Sequence, residues 1–147
     1  MAIALGKDGL LAVSATAFSE GTPSYSTVSG VTNVDLGIDV DTDDVTTRGS
    51  GGFRAYVPTL KDVEITLEMP WDTAATGYSI LRDSWVNGSP IAVKCYDGTV
   101  VGTAVGVIGD FYVTKIERSE PLDGAMRASI TLKPAPSTTN LSYGVLA

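Results

Sequence analysis

The feature that most constrains this chain is a strict alternation of apolar and polar residues, repeated in three places. In VTNVDLGIDVD, Val34, Leu36, Ile38 and Val40 share one side of an extended chain, while Asn33, Asp35, Gly37, Asp39 and Asp41 share the other. In LKDVEITLEMP, Val63, Ile65, Leu67 and Met69 alternate with Asp62, Glu64, Thr66 and Glu68. In MRASITLKP, Met126, Ala128, Ile130 and Leu132 alternate with Arg127, Ser129, Thr131 and Lys133. A period of two belongs to strands that keep one face in a core and show the other to solvent or a partner. The first two strands therefore expose an acidic face and the third a basic one. A mainly β fold follows.

The first acidic strand runs on into DVDTDDVTTRGSGGF, where aspartates recur in a way that invites comparison with a calcium loop. An EF-hand loop needs Gly at its sixth position and a bidentate Glu at its twelfth. Counted from Asp39, those positions hold Asp44 and Ser50. An acidic strand end entering an exposed loop fits better. The segment from Thr42 to Thr59 shows no sustained period and contains Gly49, Gly51 and Gly52, with Arg48, Phe53, Arg54 and Tyr56 as its adhesive side chains. A plain hairpin needs only two to five connecting residues, so a loop this long implies a function or disorder.

Downstream, TAATGYSILRDSWVNG places Tyr78, Leu81 and Trp85 at helical spacing, with Asp72 or Thr73 as N-cap and Gly88 after the end. The Tyr and Trp of this single helix are expected to pack on the sheet. A strand, PIAVKCY, and a DG turn come next, followed by two antiparallel strands joined through Pro121, Asp123 and Gly124. Glycines 102, 106 and 109 fit neither GxGxxG nor a Walker loop and are read as bulges or close-packing points. The tail from residue 135 is rich in Ser, Thr and Pro and reads as an arm that docks on a neighbour.

A length of 147 residues suits one domain spanning 1–147. The net charge of −7 argues against a basic grip on nucleic acid and against anionic membranes. No basic leader opens the chain, and no apolar run approaches the roughly 20 residues of a membrane helix, so a protein working in solution is expected. The lone Cys95 allows no intrachain disulfide, and with no histidine in the chain to activate it, a buried structural thiol is the better reading. The same lack of histidine removes His-based triads and most zinc and iron sites. Carboxylates i and i+4 along one strand face, such as Glu64 and Glu68, stand about 13 Å apart, too far for glycosidase work within one strand. No catalytic residue, metal or cofactor is expected. A β-sandwich module binding a carbohydrate or small ligand is the alternative that these residues leave open.

The order of pieces carries more. The stretch VTNVDLGIDVDTDDVTTRGSGGFRAYVPTLKDVEITLEM, the helix ending in SWVNGSPIAV, and the closing FYVTKIERSEPLDGAMRASITLKP resemble the major tail tube proteins of long-tailed, non-contractile (siphovirus) bacteriophages, over most of residues 30–134. The first thirty residues and the tail match nothing specific. The type VI secretion tube is similar in architecture, but the loop and hairpin favour the phage protein. The resemblance implies an antiparallel β-sandwich or half-barrel with one flanking α-helix and a long β-hairpin loop. It implies six copies to a ring, and rings stacked into a hollow tube in the virion tail, assembled in the host bacterial cytoplasm. Tail terminator, tape measure and distal tail proteins are the implied partners, and viral DNA would pass without specific binding. On that basis Asp35, Asp39, Asp62, Glu64 and Glu68 are expected to include lumen-facing residues. The competing expectation is that they face bulk solvent. Asp41, Asp43, Asp44, Arg48, Phe53, Arg54 and Tyr56 are expected to touch the adjacent ring.

Overall fold

The computed structural model describes residues 6–17, 21–28, 30–74, 76–98, 102, 104–136 and 142–145. Its strands are β1 (Leu10–Ser14), β2 (Ser26–Thr27), β3 (Asn33–Asp44), β4 (Tyr56–Pro70), β5 (Ile91–Tyr96), β6 (Val105–Ser119), β7 (Arg127–Pro134) and β8 (Ser142–Val145), with one α-helix, α1 (Thr76–Asn87), between β4 and β5. Hydrogen bonds link them into one open antiparallel sheet in the order β2-β1-β5-β6-β7-β4-β3, with β8 added to β6. The expected mainly β architecture with a single flanking helix holds, and the sheet does not close into a barrel.

The three alternating segments became β3, β4 and β7; β4 and β7 turn their apolar sets inward, whereas in β3 only Val34 and Leu36 pack on the core and Ile38 and Val40 are exposed. Val63, Ile65, Leu67 and Met69 of β4 and Ala128, Ile130 and Leu132 of β7 are buried. They join Leu11 and Val13 of β1, Val93 of β5 and Phe111 of β6 in one core. Residues from both ends of the sheet order meet in that core, so the sheet is curled, a half-barrel in form. Between its two ends remains a cleft of about 900 Å³, lined by Val34 and Leu36 from one side and Leu11, Cys95 and Tyr96 from the other. β1 and β2, from the first thirty residues, belong to the same sheet as the rest.

Helix α1 covers the core face of β1, β5 and β6. Tyr78 and Leu81 are buried as expected, but Trp85 is 56% exposed, so its expected packing role fails. The reason is its place along the helix. Gly77, Tyr78, Leu81 and Ser84 form the buried stripe, and Gly77 sits so close to Val28 that an added Cβ would lie 2.7 Å from a Val28 methyl. At 100° per residue Trp85 lies on the same side as Tyr78 and Leu81, but it stands in the last turn of a helix that ends at Asn87, where the buried stripe stops at Ser84. The helix starts at Thr76, so neither Asp72 nor Thr73 caps it; the Asp72 carboxylate instead accepts the Ala74 N–H at 3.0 Å in the turn leading in. At the other end, the Ser84 hydroxyl donates to the Ser89 carbonyl at 2.8 Å and Gly88 takes the left-handed conformation that ends helices.

The largest departure from expectation lies between β3 and β4. The aperiodic segment from Thr42 to Thr59 is the outer end of a hairpin, strand at 42–44 and 56–59 with an ordered tip between them. β3 runs to Asp44, and β4 begins at Tyr56 directly opposite it. β7 reaches β4 only from Ile65 onwards. Upstream of that point the two strands stand alone as a ribbon about 25 Å long at 3.3 Å per residue. Apart from Val63 at its base, both faces of the ribbon are exposed. At the opposite end of the same strands, β6 and β7 are joined by a turn through Pro121 and Gly124, with Leu122 fully exposed at its tip. The described part of the tail, expected as a docking arm, pairs as β8 with β6 of its own chain. Residues 137–141, which precede it, lie outside the described residues.

Candidate functional site

Register decides where the expected acidic residues stand. Asn33 lies opposite Glu68, Asp35 opposite Thr66, Gly37 opposite Glu64 and Asp39 opposite Asp62. With side chains alternating sides, Asp35, Asp39, Asp62, Glu64 and Glu68 all occupy the face of the sheet that points away from the core. Directly opposed like charges such as Asp39 and Asp62 destabilise a sheet, because their Cβ atoms are only about 5 Å apart. Folding gains nothing from this pair. The residues frame a hollow of about 320 Å³ on that face, lined by Asp35, Asp39, Asp62 and Glu64. Among the described residues, no group of three His, Cys, Asp or Glu is placed to hold a metal ion.

The face continues onto β7 and β6. Glu68 stands opposite Ser129, and Thr66 opposite Thr131. Thr131 in turn stands opposite Lys115. The basic side of β7 therefore adjoins the acidic side of β4, a neighbourhood that the sequence pattern alone did not reveal. Lys133 Nζ lies 2.6 Å from Glu64 Oε2 and 3.5 Å from Asp62 Oδ2. Lys115 Nζ lies 2.7 Å from Glu117 Oε1.

The ribbon carries the second group of expected residues. Between Val40 and Thr42 the register shifts at a bulge, which twists the ribbon and re-aims its outer half. The Thr59 hydroxyl donates to the Asp41 carbonyl at 3.1 Å, bracing the bulge. Beyond Asp44 the tip is built rather than loose. The Val45 N–H donates to the Ala55 carbonyl, and the Ala55 N–H donates to Thr46 Oγ1, both at 2.9 Å. Asp44 accepts the Thr46 hydroxyl and backbone N–H, which holds its carboxyl below the usual carboxylate range. Arg48–Ser50 form a 3-10 turn, closed by Gly51 and Gly52 at φ of 66° and 84°, where a side chain would be strained. Asp43, Arg48 and Arg54 are exposed, and the two arginines form no ion pair among the described residues. Phe53, Tyr56 and Leu60 are exposed, Phe53 by 79% and Leu60 by 74%. Leu60, with Ile38, Val40 and Val57, makes the ribbon far more apolar than its expected contact residues suggested; Ile38 and Val40 carry the alternation of a core-facing set but are exposed, Val57 lies in the stretch that shows no period, and Leu60 directly follows it.

Cys95 is buried in β5, and burial pushes its thiol pKa up, the opposite of what a nucleophile requires. A family model described as phage tail tube protein matches residues 4–138. The chain belongs to that family. As a tail tube protein it is a structural component of the virion tail, not an enzyme, and its working state is self-assembly into a tube with other tail proteins. Among solved structures, it is similar to a chain of the virion of a native gene transfer agent particle. The TM-score there is 0.70 at 19% identity, covering 96% of this chain and 98% of that one. The tail of the empty particle of that agent, refined with C6 symmetry, gives the same values. The SPP1 tail tube gives a TM-score of 0.72 at 15% identity, covering 97% and 80%. At these identities the likenesses carry the fold alone. No curated protein sequence matches the chain.

Proposed function

We propose that six copies of this tail tube protein close into a ring whose bore is lined by the acidic face, and that rings stack through the ribbon into a conduit for DNA. The observation that carries this reading is the collection of Asp35, Asp39, Asp62, Glu64 and Glu68 on one face of a strand set with a free edge on either side. β3 has no partner along its outer edge, and β6 beyond Phe111 has none on the side away from β7, among the described residues. Strands β6, β7, β4 and β3 alternate in direction. An even number per copy lets the β3 of one copy pair antiparallel with the β6 of the next, keeping the polar face on one side throughout. Unpaired edges of this length are otherwise an aggregation hazard. The C6 symmetry of the gene transfer agent tail supports six copies.

An acidic bore suits transit. Each phosphate held by Lys or Arg releases counterions and adds affinity, which would slow a passing duplex, whereas fixed carboxylates add none. A narrow enclosure intensifies a field of one sign. Tail terminator, tape measure and distal tail proteins would meet the two ends of the stack. Replacing Glu64 and Glu68 with Lys should leave tubes that assemble but retain DNA, with infectivity reduced at least about tenfold. Wild-type DNA release from such tubes would place the acidic face elsewhere.

A further inference from the structure

The acidic face is not anionic throughout, and the arrangement of its cations carries an inference that rests on the bore reading above. A free lysine on the wall of a DNA conduit acts as a brake, since a compact ammonium with three donors binds phosphate well. Lys133 is exposed enough to do so, its side chain being 38% accessible. It is not free. Glu64 accepts at 2.6 Å and Asp62 stands at 3.5 Å, so two carboxylates surround one ammonium and the trio is net negative. The hydrogen bond to Glu64, aided by the charge of Asp62, raises the Lys133 pKa, so it is pairing and not loss of the proton that silences the cation. Lys115 is held in the same way by Glu117 at 2.7 Å. Exposed ion pairs of this kind add little to stability, so the fold does not account for their placement.

We propose that Asp62 and Glu64 form a carboxylate guard that withholds Lys133 from the phosphates of a polyanion moving across this face. The charge of the face and the guarding of its cation are separable. Asp62→Asn/Glu64→Gln and Asp35→Asn/Asp39→Asn each remove two negative charges from one face, but only the first exposes an ammonium. Asp35 and Asp39 instead interact with the Asn33 amide and the Val40 N–H.

The experiment compares DNA retention after ejection, and binding of a double-stranded oligonucleotide, for assembled tubes of both variants and of Asp62→Asn/Glu64→Gln/Lys133→Gln. The guard variant is expected to bind at least about tenfold more tightly than the matched-charge variant, with a steeper salt dependence, as each added phosphate contact contributes about −0.9 to the slope of log K against log salt. Adding Lys133→Gln should abolish the gain. Equal binding by the two pairs, or a gain that survives without Lys133, overturns the proposal. Glu64→Lys/Glu68→Lys tubes run alongside separate the two readings. If they retain DNA while the guard variant does not, only the guard falls; if none retains DNA, the face leaves the bore and the guard goes with it. Should the guard variant fail to form tubes, the same ranking is read on the unassembled chain, where equal affinities again overturn the proposal.

Discussion

A single missing side chain sets how closely β5 and β6 approach. A Cβ built on Gly106 would stand 1.9 Å from the Cys95 carbonyl oxygen and 2.7 Å from the Tyr96 Cα, both backbone atoms that cannot swing aside. Gly106→Ala must therefore push β5 and β6 apart at the edge of the core, with an expected loss of about 3 kcal/mol in chemical denaturation. An unchanged unfolding midpoint would mean that the strands lie farther apart than described. This position was legible in the sequence as a close-packing glycine, and Cys95 as a buried thiol, because both judgements rest on local chemistry. Lys133 was legible only as a basic residue on a basic face. Its two carboxylate partners come from a strand more than sixty residues earlier, and no local pattern says that β7 lies beside β4.

The ribbon shows why one element escaped the sequence while its neighbours did not. Alternation records unequal burial of two faces, and it is clear in β4 from Val63 onwards, where one face meets the core. Farther out both faces are bare, so selection for burial writes no period over Thr42–Thr59 and that stretch reads as a loop, although the alternation of β3 carries on to Val40 past the end of the core. A two-stranded hairpin is marginal on its own in water. With Phe53, Leu60 and Ile38 exposed, this one is expected to gain its order from a neighbour. In unassembled protein, hydrogen exchange at residues 38–61 should be fast relative to the core, and in tubes it should slow by at least about tenfold. Replacing residues 47–54 with Asn-Gly, a turn that keeps the Thr46–Ala55 tie, should leave a folded chain that forms no tubes by electron microscopy. Normal tubes from that variant would remove the ribbon from the ring-to-ring contact.

At the scale of the molecule, the ribbon leaves one end of the four-stranded face and the β6–β7 turn leaves the other. If copies stack head to tail, the surface met by each ribbon belongs to the far end of the next ring, where Leu122 is the exposed apolar side chain of the turn. Leu122→Asp is expected to change the stability of the unassembled chain by no more than about 0.5 kcal/mol, as is usual for exposed sites. The same change should raise the concentration needed for tube growth at least about tenfold, measured by light scattering. Growth at the wild-type threshold would show that the turn stays outside the contact. The unlike ends have one further effect. Every ring that joins such a stack buries one docking surface and presents an identical fresh one, so nothing within the subunit counts copies or signals completion. The number of rings in a finished tail must be specified by some other molecule.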